Sequence, residues 1–239
     1  MARHTLFCDS ASLSDAATLV IGGDEAEHAV RSKRLRAGDL VSVTDGRGTV
    51  VTGRIDAARK SSVELTVMDR STAPRLRPAV RVYSATPKGP RLDKMIDQLS
   101  QAGAASWSPL ETALGVVDPG DKKMDRAHRI AVESAKQCAR AWVMEIGESV
   151  GFESVLGSVG GGGALIVADA SGTPYAAVDA EEIVVVVGPE GGFTEPELAR
   201  AREAGAVVAS FGPLVMRIET AAVAATAIVM HAAGARPPQ

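Results

Sequence analysis

Two short stretches hold residue types that could do chemistry. The first is Gly188-Pro189-Glu190-Gly191-Gly192-Phe193-Thr194, directly after the apolar run Ile183–Val187. Three glycines and a proline make a turn whose bare backbone can approach a ligand. It is not a phosphate loop. No Gly-Lys-Ser/Thr follows, the Gly-x-Gly-x-x-Gly spacing is missing, and Glu190 would repel a di- or triphosphate. A carboxylate there suits a ligand with hydroxyls or positive charge, although a tight turn with no ligand would satisfy the same residues. The second stretch is Phe211-Gly212-Pro213-Leu214-Val215-Met216-Arg217-Ile218-Glu219-Thr220-Ala221. Arg217 could pair with Glu219 or hold a phosphate. Glu219 in the first turn of a helix is good electrostatics and needs no catalytic role.

Both stretches read as strand-to-helix joints. Ile183–Val187 is five β-branched residues without a polar break, which fits a strand buried on both faces of a parallel sheet. Thr194-Glu195-Pro196-Glu197 is a capping box that opens a helix. The carboxyl end of such a strand is where α/β proteins bind ligands. From residue 79 onward strands and helices alternate: strands at 80–85, 105–110, 164–168, 183–187 and 206–210, helices at 91–102, 121 to about 141, and about 219–231. That order predicts a mainly parallel sheet with helices on its faces. In the 121–141 helix the spacing puts Ile130 and Ala131 inward and Arg126, Arg129 and Lys136 outward. Before residue 71 the pattern is several short strands and one helix. Strands are expected at 5–8, 18–21, 40–44, 50–55 and 63–68, with a hairpin at Asp45-Gly46-Arg47-Gly48, which suggests a small barrel. Asp24 is expected to cap a helix running to about Leu35, with Arg34 and Arg36 near its end. Residues 71–78 read as a linker, which divides the chain into 1–72 and 73–239.

The 239 residues include 46% hydrophobic and only 3% aromatic, so the core is aliphatic. Cys8 and Cys138 form no disulfide framework, no apolar run approaches a membrane span, and the first residues lack a signal-peptide pattern, so a soluble cytoplasmic protein is expected. Cys138 is expected to pack on a helix. His4, His28, His128 and His231 lack ligand spacing, so no metal site is expected. The 157–163 stretch looks flexible and 236–239 looks like a loose tail. The net charge is −3, but cations cluster at 28–36, 75–94 and 122–140. Segregated basic patches can bind a polyanion despite an acidic total.

Gly188-Pro189-Glu190-Gly191-Gly192-Phe193-Thr194-x-x-Glu197, followed by Arg217-x-Glu219-Thr220-Ala221, resembles the RsmE family, the 16S ribosomal RNA uracil-N3 methyltransferases of the SPOUT class. His28-Ala29-Val30-Arg31 through Arg34-Leu35-Arg36-Ala37-Gly38-Asp39, Lys88-Gly89-x-Arg91, and Glu133-x-Ala135-x-Gln137-x-x-Arg140 agree with it in order. The chain departs where the family has Ser-Glu-Arg after Pro109-Leu110; here the residues are Glu111-Thr112-Ala113. The resemblance implies an α/β protein with a PUA-like RNA-binding β-barrel over 1–72 and a SPOUT trefoil-knotted parallel-sheet domain over 73–239. It implies a homodimer acting on 16S rRNA in the small ribosomal subunit. S-adenosyl-L-methionine would be held by Val167 and Ala168, by Gly188, Pro189, Glu190, Gly191 and Gly192, and by Gly212, Leu214, Val215, Met216, Thr220 and Ala221. Arg31, Arg34, Arg36, Lys88, Arg91, Gln137 and Arg140 would contact RNA. Arg217 would stabilise charge developing on the uracil, and Glu219 would be either the base or a group that orients Arg217. Two other functions fit the same chain: a related knotted methyltransferase acting on ribose 2′-oxygen or on transfer RNA, and a non-catalytic RNA-binding assembly factor.

Overall fold

The structure is a computed structural model that describes residues 4–9, 13, 16–115 and 118–235. The chain forms two compact units. The first comprises residues 1–75 with 135–143, the second 76–134 with 144–239. The 236–239 tail, and part of the expected N-terminal stretch, lie outside the described residues.

The first unit is a five-stranded sheet in the order β1 (Thr5–Phe7), β3 (Leu40–Thr44), β4 (Thr49–Arg59), β5 (Ser62–Thr72), β2 (Thr18–Gly22), with α1 (Gly23–Arg31) between β2 and β3. Apolar alternation sets its inner face: Leu19 and Ile21, Val41 and Val43, Val51 and Ile55, Val63 and Leu65 share one core with Leu6 and Ala29. The Asp45–Gly48 hairpin joins β3 to β4, and register shifts at Thr52/Gly53 and Ile55/Ala57 bend β4 against β5.

Several local expectations need correction. The N-cap of α1 is Gly22, with no side-chain cap, so Asp24 serves as a first-turn acid rather than as the cap. The helix stops at Arg31, four residues short of Leu35. Leu35 is 5% exposed, and to bury it the chain turns through Arg34 at φ 55°. Arg34 and Arg36 therefore lie on a turn, where the Asp39 carboxylate accepts from the Arg36 amide at 2.8 Å. Helix α3 (Asp121–Gln137) likewise ends early, with Ala139 at φ 56°. Its end belongs to the first unit, and Lys136 points inward rather than outward: its Nζ meets Glu25 Oε2 at 2.5 Å, the side chains 10% and 16% exposed. Cys138 is exposed just beyond the helix. The Trp142 indole N–H then donates to the Ala73 carbonyl at 2.8 Å, and the Arg75 guanidinium sits 4.0 Å from the ring centroid. Two residues before its end, α3 has thus left the second unit for the first.

The second unit is a parallel sheet in the order β12 (Val207–Ser210), β10 (Ala164–Pro174), β11 (Glu182–Val187), β6 (Ala79–Ser84), β7 (Ser106–Glu111), β8 (Glu145–Ile146), with β9 (Val150–Gly151) also on β7. Every residue from Ile183 to Val187 is 3% exposed or less, because β11 is central and covered on both faces. On one face Val184, Val186, Leu165 and Val167 pack with Phe152 and Val155 of α4 (Phe152–Leu156), with Phe193, and with Leu198 and Ala201 of α5 (Glu195–Glu203). On the other, α6 (Ile218–Ala232) packs on β6, β11 and α2 (Arg91–Ala102). Helix α2 ends where the sequence places its stop, at Gly103 with φ 95°. Ala222, Ala225, Thr226 and Val229 are fully buried, so this face of the apolar last helix is core.

Gly48 has φ 99°, and a Cβ there would strike the Trp142 indole, whereas Gly38 (φ 94°) has nothing within 4 Å. Both alanine variants pay the left-handed backbone cost, roughly 1 kcal/mol. G48A should lose about 2 kcal/mol more than G38A in urea unfolding, with the tryptophan emission changed only in G48A.

Candidate cofactor cavity

The carboxyl ends of β11 and β12 meet the bulge within β10 at one edge of the sheet, and that bulge and the loops that leave β11 and β12 line a cleft of ≈ 270 Å³. Its wall is mostly backbone and aliphatic carbon. Ala168, Gly188 to Phe193, Gly212, Leu214, Val215, Met216 and Ala221 all line it, so the structure brings most of the expected cofactor residues together. Two do not belong to the wall. Val167 is 0% exposed within the core below it, and Thr220 points to solvent on the first turn of α6.

The glycines have specific work here. A Cβ on Gly188 would meet the Phe193 ring at 2.9 Å, and Gly192 sits at φ 72°. Gly212 faces only Met216 Cε, 3.7 Å from where its Cβ would stand. Side chains at these positions would crowd the turn or fill the cleft.

Glu197 holds the turn in place. It is 3% exposed. One oxygen accepts from the Thr194 amide and hydroxyl, both at 2.8 Å, which completes the capping box at the start of α5. The other accepts from the Ala113 amide at 2.9 Å. The loop after β7 is thereby fastened beside the glycine turn, with Leu114 Cδ1 3.3 Å from a Cβ placed on Gly191. Burial alone would raise the Glu197 carboxyl. The bonds from Ala113 and Thr194, with the Arg200 charge, more than offset it and hold the group below its ordinary 4.5. The capping role was legible in the sequence; the reach to Ala113, a contact across 84 residues, was not.

Asp169 is a wall residue that no sequence motif marks. The ladder between β10 and β12 shifts register between Ala168 and Thr173, and this bulge places Asp169 in the cleft wall. Its Oδ1 accepts from the Ser171 amide at 2.9 Å and hydroxyl at 2.7 Å. Its position one residue past the predicted strand end was the available signal. Asp169 and Glu190 are the only charged residues in the wall among the described residues; no cation lines it.

The Arg217 and Glu219 pair is divided differently from either expectation. Arg217 is the exposed N-cap of α6. Glu219 meets Arg91 instead, Oε1 to Nη1 at 3.9 Å, and Arg91 Nε donates to the Lys88 carbonyl at 3.2 Å. Glu219 Oε2 is buried and has no hydrogen-bond partner among the described residues. Lys88 is exposed beside this pair in sequence. In the first unit, Arg31 pairs with Glu27 at 2.7 Å, Arg34 and Arg36 follow α1, and Gln137 is exposed at the end of α3. Arg140 is half-buried; burial lowers its guanidinium pKa, Cys138 opposes this, and Arg75 lowers it further.

E197Q keeps the size, but only one of its two side-chain ends can accept, so at least one of the three donors on Glu197 loses its acceptor and a loss of roughly 1–3 kcal/mol is expected in urea unfolding. The sign with pH follows from the lowered pKa. The carboxylate's contribution is complete above about pH 5 and is lost as pH falls below 4.5 towards its lowered folded value. E197Q should therefore unfold with a shallower acid dependence than the parent over that window. An equal dependence would deny Glu197 this role.

Comparison with known proteins agrees with the geometry. The family described as an RNA methyltransferase domain matches residues 75–230, and that described as an RNA methyltransferase PUA domain matches residues 21–68. A Mycobacterium bovis protein named ribosomal RNA small subunit methyltransferase E is 31% identical over 225 residues, covering 89% of this chain and 86% of the relative. The Bacillus subtilis protein of the same name is 27% identical over 97% of this chain and 96% of its own length. The crystal structure of the Neisseria gonorrhoeae protein of that name, bound to S-adenosyl methionine, superposes with a TM-score of 0.83 at 21% identity, covering 95% of this chain and 97% of that one. The fold is thus a PUA-like unit joined to a parallel-sheet unit of the methyltransferase type, and the chain belongs to the RNA methyltransferase family whose curated members include ribosomal RNA small subunit methyltransferase E.

Proposed function

We propose that this protein transfers the methyl group of S-adenosylmethionine to N3 of a uridine in 16S rRNA of the small ribosomal subunit, as a homodimer in the cytoplasm. The observation that carries the reading is the cleft: two strand ends and a bulge, a backbone wall, aliphatic sides and two carboxylates without a cation. That donor set suits an adenosine with free hydroxyls and a cationic centre, and it disfavours nucleotide phosphates. The named relatives act on ribosomal RNA of the small subunit, which supplies the substrate class.

When bound, the cofactor supplies a methyl group already made electrophilic by a sulfonium. The protein must then align it and make uracil N3 nucleophilic. N3 carries a proton. Glu219, its side chain 14% exposed, is the acceptor we assign to it, and Arg91 lies 3.9 Å from its Oε1 and positions the carboxylate. Arg217, at the rim on the same helix start, stabilises negative charge developing on O2 or O4. Lys88, Arg31, Arg34, Arg36 and Arg140 are read as phosphate contacts and Gln137 as a polar RNA contact. Such contacts position RNA without reading its sequence.

The knotted topology belongs to the same reading. β12 pairs with β10 on the side away from β11, yet the following helix α6 packs back on β11 and β6, a route that supports a trefoil crossing. The dimer is supported by Leu214 and Val215, which are 79% and 86% exposed on the loop that lines the cleft.

Assembled small subunits and naked 16S RNA, both lacking the modification, are incubated with methyl-labelled S-adenosylmethionine and digested. Label is expected in N3-methyluridine. Label in a 2′-O-methylated nucleotide would replace the base by the ribose, and no transfer despite cofactor binding would favour a binding-only protein. R217A and E219Q should each lower kcat by roughly 100-fold while cofactor affinity stays within about threefold. In light scattering the parent should be a dimer, and L214D with V215D should shift it to monomer; a monomeric parent would overturn the dimer assignment.

A further inference from the structure

We infer that Asp169 makes the cleft select the charged methyl donor over its own demethylated product. The inference rests on the cofactor reading above and adds to it a role for one residue. S-adenosylmethionine and S-adenosylhomocysteine share every hydroxyl, the base and the amino-acid end. They differ by one methyl and by the positive charge on sulfur. Backbone donors and acceptors, and the aliphatic wall of Val187, Leu214 and Met216, meet the two alike. Discrimination by charge must come from the electrostatic field in the cleft.

That field has one sign. Asp169 and Glu190 contribute two negative charges and the wall has no cation among the described residues. Glu190 is exposed on the turn, so water and salt screen it. Asp169 is half-buried in the wall and is fixed there by the Ser171 amide and hydroxyl, both on Oδ1. No hydrogen bond among the described residues takes its Oδ2, which lies 3.8 Å from where a Cβ on Gly192 would stand and so faces the glycine turn. In a cleft of ≈ 270 Å³, any bound cation lies within about one Debye length (~10 Å) of that carboxylate. At that range one charge on one charge shifts binding by roughly 3- to 30-fold at the effective dielectric of a partly buried site. A neutral thioether gains nothing from it. Loss of the charge in the reaction therefore loosens the product, and the same residue that draws the donor in speeds the exchange after transfer.

D169N is the right variant, since an amide oxygen can keep the Ser171 bonds while the charge is removed. Affinities for S-adenosylmethionine, S-adenosylhomocysteine and sinefungin, which carries an amine cation in place of the sulfonium, are measured by titration calorimetry without RNA. The D169N change should weaken S-adenosylmethionine and sinefungin by roughly 3- to 30-fold and S-adenosylhomocysteine by less than twofold. In the parent, raising salt should narrow the donor-to-product affinity ratio, and in D169N it should narrow it less. Equal weakening of all three would mean that Asp169 bonds a group they share, and an unchanged ratio would mean that its charge is not felt; either overturns the inference and leaves the cofactor reading intact. Failure of the parent to bind any of the three would overturn the cofactor reading and this inference with it.

Discussion

The Glu197 carboxylate is the interaction on which the site depends. Three donors converge on it: the Thr194 amide and hydroxyl and the Ala113 amide. Two of them start α5, and the third anchors the loop after β7. A nearly buried carboxylate with its oxygens filled tolerates little displacement, because any lost bond leaves a charge without water. The glycine turn between β11 and α5 inherits that rigidity. Glycines are the least constrained residues of the chain, so a turn built of them needs fixing from outside. Here one end is a fully buried strand, and the other is a capped helix tied to a second loop.

With the turn fixed, the remaining side chains divide their work. The inner wall contains backbone and aliphatic carbon, which in the proposed function receive a base and a ribose without charge. Negative charge comes from Asp169 and Glu190 alone among the described residues. The positive groups stand outside the wall, with Arg217 on the cap of α6 and Arg91 against Glu219. In the proposed function a cationic donor and an anionic RNA are served by separate groups of opposite sign. The Arg91–Glu219 pair keeps an unpartnered, buried carboxylate oxygen from standing wholly without compensation.

Much of this was legible in the sequence wherever the signal was local. The run Ile183–Val187, the Thr194 capping box and the stop at Gly103 each carry their structure within a few residues, and each appears where expected. Misreadings arose where a distant contact overrode a local pattern. Helical spacing put Lys136 outward, but Glu25 draws it in. Charge placement extended α1 to Leu35, but burying Leu35 turns the chain at Arg34. Local spacing offers Arg217 as the partner of Glu219, yet its partner is Arg91, on another helix. Asp169 was missed because a bulge, which depends on pairing between β10 and β12, sets where that side chain goes.

In the proposed function the backbone-walled cleft holds the methyl donor. Gly212 tests it most directly, since a Cβ there would touch only Met216 Cε at 3.7 Å and its side chain would occupy the cleft. Calorimetric titration of the parent and of G212V with S-adenosylmethionine, paired with urea unfolding of both, is the decisive measurement. The parent should bind at one site per chain, and G212V should bind at least about tenfold more weakly with a closely matched unfolding midpoint. Parent-like affinity in a folded G212V would place the donor elsewhere and contradict the account.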